Sequence, residues 1–146
     1  MKLVSPSIAI KQSYLEKSES NLSSAKLLSA NEKLEESVTM AYYSMYNSVQ
    51  ALLYVVGIKC QNHTASIILL KELFALDNTE ILDAKKERID KQYYVGFKIA
   101  KAEVIELTKT AEQFNAKLLD FIEKLNADEI NRFREEFRLG IASSHR

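Results

Sequence analysis

LEESVTMAYYSMYNSVQALLYVVG, residues 34–57, is the most apolar stretch of the chain, and its apolar residues recur at helical spacing. Two stripes run along it. The first contains Val38, Tyr42, Met45, Val49, Leu52 and Val56, and the second contains Tyr43, Tyr46, Asn47, Gln50 and Tyr54. A helix with apolar residues on most of its sides normally lies at the centre of a bundle. We therefore predict a central helix over residues 34–56, ended by Gly57.

The rest of the chain is predicted to form further helices. Three glycines and one proline in 146 residues leave few helix breakers, and no segment favours β-strands. Val104, Ala111 and Leu118 repeat every seven residues, the spacing of a bundle seam. The other helices are predicted over residues 7–29, 64–76, 80–93, 101–125 and 128–139. We predict an all-α fold, an antiparallel up-and-down helical bundle of four to five main helices plus a short C-terminal helix.

Length, charge and cysteine content limit the classes of protein. A chain of 146 residues suits a single domain, with a core over about residues 7–126 and a C-terminal helix and tail over 127–146. Twenty basic and twenty acidic residues cancel, which argues against general coating of nucleic acid but permits a local basic cleft. The single cysteine, Cys60, and the lack of a signal-peptide pattern predict a cytoplasmic protein. No apolar run approaches the roughly 20 residues of a membrane helix.

The segment ERIDKQYYVG, residues 87–96, combines an arginine, two adjacent tyrosines and a glycine. Residues 85–101 hold six basic side chains against two acidic ones, a local net charge of +4 in a neutral chain. A basic patch beside aromatic rings suits contacts with phosphates and bases. We take Arg88, Lys91, Tyr93 and Tyr94 as candidate nucleotide- or RNA-binding residues. The alternative is that Arg88 is a surface arginine in a salt bridge.

Helix geometry restricts how Arg88 meets these tyrosines. Around an unbroken helix, Tyr93 lies about 140° from Arg88, and Tyr94 lies about 120° away on the other side. The helix must therefore end near Gln92, or a second subunit must supply one of the partners. The second possibility predicts a homodimer.

Other side chains give weaker signals. Tyr43, Asn47 and Tyr54 are placed to line a polar groove, although tyrosines often fill a core and send their hydroxyls to the surface. No cluster of histidines or cysteines accompanies His63, so we expect neither a metal centre nor another cofactor. Cys60 near His63 suggests a nucleophile and a base, but the sequence shows no third group to orient them. Cys60 is therefore expected to be an inert thiol. The arginines and phenylalanines of residues 131–138 fit an amphipathic helix that docks on the bundle or on a partner better than an RNA contact.

Three segments resemble the HEPN domain family, in particular its small stand-alone prokaryotic and archaeal members of the UPF0332-like type. AYYSMYN at residues 41–47, followed by ALL at 51–53, is similar to the family's helix 2 pattern. Gly57-Ile58 followed by His63 resembles the lead into the third helix. Arg88 followed by Tyr93-Tyr94 is similar to the family's arginine with a histidine or tyrosine four to six residues later. The resemblance covers about residues 14–125.

The resemblance implies a bundle that commonly dimerises, with a cleft around the arginine motif built by both subunits. It also implies a minimal nucleotidyltransferase as partner, in a toxin–antitoxin or defence pair. Family members with the full arginine–histidine motif are metal-independent ribonucleases. In some systems the partner modifies a tyrosine near the motif with AMP, and Tyr93 or Tyr94 is the matching acceptor in this chain.

The chain departs from the family at the motif histidine, where it has Tyr93 and Tyr94. A tyrosine with an ordinary pKa near 10 is a poor general base at neutral pH, whereas Arg88 alone still binds phosphate. His63 substitutes only if the fold brings it to Arg88. We therefore expect binding of a nucleotide or RNA phosphate, together with a nucleotidyltransferase partner. The alternatives are a metal-independent ribonuclease toxin and a non-catalytic helical dimerisation or interaction module.

Overall fold

The computed structural model describes the backbone of residues 1–93 and 99–141 and the side chains of residues 1–89 and 99–140. Its helices are α1 (Ile8–Ala30), α2 (Leu34–Val56), α3 (His63–Glu72), α4 (Thr79–Tyr93), α5 (Lys101–Lys124) and α6 (Ala127–Glu136). Two short strands, β1 (Lys2–Leu3) and β2 (Ile58–Lys59), pair with each other, and a π-helical turn (Phe137–Ile141) follows α6. The predicted all-α bundle with a short C-terminal helix is confirmed. Within these described ranges, no helix is both long enough and apolar enough to cross a membrane.

The centre of the bundle is α2, as its two stripes predict. Sixteen of its 23 residues are buried, and it packs against α1, α4 and α5. Tyr42 and Met45 are among its side chains with no exposed surface. Gly57 follows the last turn with a φ of 88°, and its N–H donates to the carbonyls of Leu53 and Tyr54. The glycine ends α2 because it adopts this left-handed conformation without steric cost.

Buried polar side chains join α1, α2 and α5. Ser18 Oγ of α1 donates to the Ser44 carbonyl at 2.7 Å, and Ser44 Oγ donates to the Ser18 carbonyl at 2.8 Å. On α5, Asn115 donates through Nδ2 to Ser44 Oγ at 2.7 Å and accepts at Oδ1 from Ser48 Oγ at 2.8 Å. A buried network whose members are satisfied in this way specifies one arrangement of the helices that it joins.

The third helix is shorter than the sequence predicts. It ends at Glu72 rather than at residue 76, and the chain turns at Ala75, whose φ is 55°. Leu73 and Phe74 stay buried beyond the end of the helix. Their apolar pattern therefore continues past the last helical turn, which explains the difference.

The pairing of β1 with β2 is a second difference, because no strand was predicted. The two strands are antiparallel, with Lys2 opposite Lys59 and Leu3 opposite Ile58. A strand of two residues is too short to show an alternating pattern in the sequence. The pairing fixes the first residues of the chain to the segment that follows α2.

The last helix docks on the bundle through aromatic side chains. Asn126 and Glu129 form a capping box at its start. Phe133 and Phe137 are buried, which agrees with the docking role predicted for residues 131–138. The α-helix ends at Glu136 rather than at residue 139, because the backbone widens into the π-helical turn after α6.

Arg134 of α6 binds three backbone carbonyls at once. Its Nη1 donates to the carbonyls of Val4 at 2.7 Å, Gly57 at 3.0 Å and Val56 at 3.1 Å. The last carbonyls of a helix have no partner within it and carry the negative end of its dipole, so a guanidinium is a suitable cap. Arg134 thereby ties α6 to the end of α2 and to the segment after β1.

Candidate functional site

Arg88 of α4 lies over two tyrosine rings of α2. Its guanidinium carbon is 5.3 Å from the ring centroid of Tyr42 and 5.2 Å from that of Tyr43. Both distances fall within the range of cation–π attraction, about 6 Å. Tyr42 is fully buried, whereas Tyr43 and Arg88 are half-buried. The central helix therefore supplies aromatic partners to Arg88.

His63 joins the same tyrosines from the first turn of α3, which the Asn62 side chain caps. Tyr42 Oη lies 2.8 Å from His63 Nδ1, and the tautomer decides which of the two groups donates this hydrogen bond. The imidazole stacks on Tyr46, with ring centroids 3.8 Å apart and an angle of 13° between the planes. Arg88 and His63 therefore meet at Tyr42. We define the Arg88 cluster as Arg88, Tyr42, Tyr43, Tyr46 and His63.

Burial favours the neutral forms of His63, Tyr42 and Tyr46. Burial lowers the pKa of His63, and the charges of Arg88 and Lys85 lower it further. Burial raises the pKa of Tyr42 well above its usual range, although Arg88 acts in the opposite direction. Burial also raises the pKa of Tyr46. At pH 7 the positive charge of this region is therefore carried by Arg88 and Lys85, and such a surface attracts anions.

A polar groove of about 350 Å³ opens beside the Arg88 cluster. Asn47 Nδ2 donates to Asn21 Oδ1 at 2.7 Å, so an amide pair joins α2 to α1 within the lining of this groove. The sequence placed Tyr43, Asn47 and Tyr54 at a polar groove; Tyr43 and Asn47 line this one, whereas Tyr54 does not. Tyr54 belongs to the same stripe but stacks on Tyr14, with ring centroids 5.3 Å apart. The lining consists of Tyr14, Lys17, Asn21, Tyr43, Tyr46, Asn47, Gln50, Gln61 and His63.

The remaining candidates from the sequence are Lys91, Tyr93 and Tyr94. The side chains of Lys91 and Tyr93, and the whole of Tyr94, lie outside the described residues. The described backbone of α4 runs to Tyr93, one residue past Gln92 and at the bound predicted from the sequence. Arg88 reaches the rings of Tyr42 and Tyr43 because α4 packs on α2.

Sequence reasoning missed Tyr42 and Tyr46 as site residues and left the position of His63 open. The apolar stripe on α2 correctly predicted that the ring of Tyr42 is buried. It gave no information about the partner of the Tyr42 hydroxyl. One signal was present in the sequence: Tyr42 and Tyr46 are four residues apart and therefore share a face of α2. The contacts with Arg88 and His63 join separate helices, and spacing along one helix does not reveal them.

The groups available for chemistry in the described site are guanidinium, phenol, imidazole and amide side chains. In the part of the chain with described side chains, no group of three or more His, Cys, Asp or Glu residues is placed to hold a metal ion. Cys60 is buried, and its Sγ lies 3.7 Å from the Asn62 carbonyl oxygen. Guanidinium groups commonly bind anions in proteins, and aromatic side chains commonly stack on aromatic ligands.

Comparisons with known proteins give one family and two relatives. The HEPN domain family model matches residues 12–124. A UPF0332 protein of Pyrococcus horikoshii is 41% identical over 56 residues, which cover 38% of this chain and 39% of that protein. A protein of Methanocaldococcus jannaschii named "putative toxin" is 31% identical over 87 residues, which cover 60% of this chain and 64% of that protein. The matched segments thus span less than two thirds of either relative.

Proposed function

Since the chain belongs to the HEPN domain family, we propose that it binds the phosphate group of a nucleotide or of RNA at the Arg88 cluster. The match over residues 12–124 confirms the resemblance inferred from the three sequence segments. One observation carries the proposal. The guanidinium of Arg88 is held over the rings of Tyr42 and Tyr43, at 5.3 and 5.2 Å from their centroids.

The geometry of Arg88 supports phosphate binding for a chemical reason. Contact with two aromatic rings restricts the position of the guanidinium, and an arginine can bind phosphate oxygens through pairs of N–H groups. Lys85 adds a second positive charge and donates to Thr64 Oγ1 at 2.6 Å. In the sequence, Lys91, Tyr93 and Tyr94 follow Arg88 closely, and we propose that they complete the binding surface.

The test is a titration of the protein with a short fluorescent RNA and with AMP at several salt concentrations. Arg88→Ala should weaken binding at least about tenfold and reduce its dependence on salt, because a phosphate contact is lost. Arg132→Ala is the matched control. Arg132 is also an arginine over an aromatic ring, 4.9 Å from the centroid of Phe133, but it lies on α6.

Two results would count against this proposal. Equal affinities of the Arg88→Ala variant and the unaltered protein would show that the site is wrongly assigned. A protein that binds neither RNA nor AMP would favour the non-catalytic interaction module.

Metal-independent cleavage of RNA is a second candidate function, and the position of His63 favours it. A histidine that is neutral at pH 7 is able to accept the proton of a 2′-hydroxyl while Arg88 stabilises the charge on the phosphorus oxygens. This requires the tautomer in which Nδ1–H donates to Tyr42 Oη, since Nε2 is then the acceptor. Attack by the 2′-oxygen would leave a 2′,3′-cyclic phosphate and a free 5′-hydroxyl.

Cleavage is tested by incubating RNA with the protein in EDTA. Activity should disappear in both Arg88→Ala and His63→Ala and persist in Arg132→Ala. An activity that survives His63→Ala would remove His63 from the mechanism. Absence of cleavage in the unaltered protein would leave phosphate binding as the function.

We also propose a nucleotidyltransferase partner and a homodimer. The relative from Methanocaldococcus jannaschii carries the name of a toxin, and the family resemblance implies AMP transfer to Tyr93 or Tyr94. Co-expression with a nucleotidyltransferase encoded beside this protein, followed by intact mass measurement, should show the addition of one AMP. Tyr93→Phe or Tyr94→Phe should abolish the shift, and light scattering should give twice the chain mass. An unchanged mass in the intact protein would contradict AMP transfer.

A further inference from the structure

We propose that the polar groove beside the Arg88 cluster is a nucleobase subsite, so that the protein holds a nucleotide by its base as well as by its phosphate. The inference rests on the proposed function for the phosphate end and assigns to the base a second set of residues, which shares Tyr43 and His63 with the Arg88 cluster. We call this set the amide groove. Its defining residues are Lys17, Asn21, Tyr43, Asn47, Gln61 and His63.

Tyr43 connects the two parts of the site. Its ring lies 5.2 Å from the guanidinium carbon of Arg88, and the same residue lines the amide groove. His63 is also shared, because it hydrogen-bonds to Tyr42 and lines the groove. A ligand with its phosphate at Arg88 therefore has the groove as the adjacent space for the group at its other end.

The polar lining has the chemistry of base recognition. Asparagine and glutamine amides carry a donor and an acceptor side by side, and they bind the edges of bases in pairs of hydrogen bonds. The bond from Asn47 to Asn21 uses one of the two Asn47 N–H groups and holds both amides in place. Gln61 is an exposed amide of the lining, in the segment before α3.

The aromatic lining and the size of the groove fit the same ligand. Tyr43 and His63 are half-buried and line the groove, and aromatic side chains are the type on which bases stack. The volume of about 350 Å³ lies within the range of small-molecule sites, about 300–1,000 Å³. Lys17 on the rim adds a positive charge.

Charge distinguishes this groove from a larger one. A groove of about 570 Å³ between α1 and α5 is lined by four glutamates against one lysine: Glu16, Glu19, Glu112, Glu123 and Lys26. Carboxylates repel a phosphate. The amide groove holds no acidic side chain in its lining and lies next to Arg88, which is why we assign the nucleotide to it.

The test compares ligands with and without a base. By calorimetry, AMP should bind about tenfold or more tightly than ribose 5-phosphate, because stacking and amide contacts are available only to the base. Asn47→Leu should remove most of this preference and leave the affinity for ribose 5-phosphate unchanged. Asn21→Leu should also remove most of the preference for AMP. Asn21 is less buried than Asn47, so this variant tests the subsite even if Asn47→Leu does not fold. Gln113→Leu, on the exposed face of α5, is the matched control.

A second arm separates a free nucleotide from a nucleotide within RNA. Hexa-adenylate is compared with a hexamer of abasic ribose phosphate in the same variants. A preference for bases that appears in either arm and is lost in Asn21→Leu supports the subsite. Equal affinity for AMP and ribose 5-phosphate, with both lost in Arg88→Ala, would overturn the base subsite and leave the phosphate site standing. Binding of none of these ligands would overturn both proposals.

Discussion

The Tyr42 hydroxyl is the point where the histidine and the arginine of the cluster meet. Its oxygen lies 2.8 Å from His63 Nδ1, while its ring carries the Arg88 guanidinium at 5.3 Å. A positive charge on His63 would therefore lie close to that of Arg88 in a partly buried setting. The fold therefore disfavours protonation of the His63 imidazole, and this should affect how stability depends on pH.

We expect the protein to lose stability in mild acid through His63. Burial and the charges of Arg88 and Lys85 hold its pKa below the ordinary 6.5, so the unfolded chain binds this proton more readily than the folded one. The contribution of His63 is fully present above about pH 6.5 and is lost as the pH falls through its folded pKa. Urea unfolding between about pH 7.5 and about pH 5.5 should show a smaller fall in stability for His63→Gln. Equal falls in both proteins would contradict this.

At the scale of single elements, α2 shows that the sequence of a helix can determine where the helix begins and ends. Its bounds were predictable because the apolar stripes are long and Gly57 is an unambiguous stop with a φ of 88°. The end of α3 was not, because Leu73 and Phe74 are buried beyond the helix and continue its pattern. The end of a helix is predictable from the sequence where the backbone conformation requires one residue type, as at Gly57. It is not predictable where buried apolar residues continue past the last turn, as at Leu73 and Phe74.

The end of α2 should be sensitive to any side chain at Gly57. An added Cβ would lie 2.5 Å from the Val4 carbonyl oxygen and would meet the Arg134 guanidinium, and the positive φ adds strain. We expect Gly57→Ala to lower the free energy of unfolding by about 2–4 kcal/mol. Gly140→Ala is the control, since a Cβ at Gly140 meets nothing within 4 Å. Its effect should stay within about 0.5 kcal/mol in the same urea titration.

At the scale of the whole molecule, the site exists only because separate helices meet. Arg88 and Tyr43 were predictable as candidates from local charge and from a stripe on α2. Their contact was not predictable, because it depends on how α4 packs on α2, and a single sequence carries no signal of that packing. The same limit applies to His63, which comes from α3 to stack on Tyr46 at 3.8 Å.

The buried network of α1, α2 and α5 should contribute to the stability of the whole bundle. Asn115→Leu removes one hydrogen-bond partner from each of Ser44 and Ser48. Two buried hydroxyls then lose a hydrogen bond, and we expect a loss of about 1–3 kcal/mol in the free energy of unfolding. Gln113→Leu makes the same kind of change on an exposed position two residues away and should alter it by at most about 0.5 kcal/mol. Equal effects of the two variants would show that the network adds nothing.

The contacts of Arg134 set the order of folding steps while the chain is being synthesised. Its guanidinium binds Val4, 130 residues earlier in the chain, as well as the carbonyls of Val56 and Gly57. At about 5–20 residues per second, a ribosome adds Arg134 roughly 4–15 s after Gly57. During that interval the carbonyls at the end of α2 lack the Arg134 guanidinium. The contact between Arg134 and these carbonyls therefore forms in the last stage of folding of the new chain.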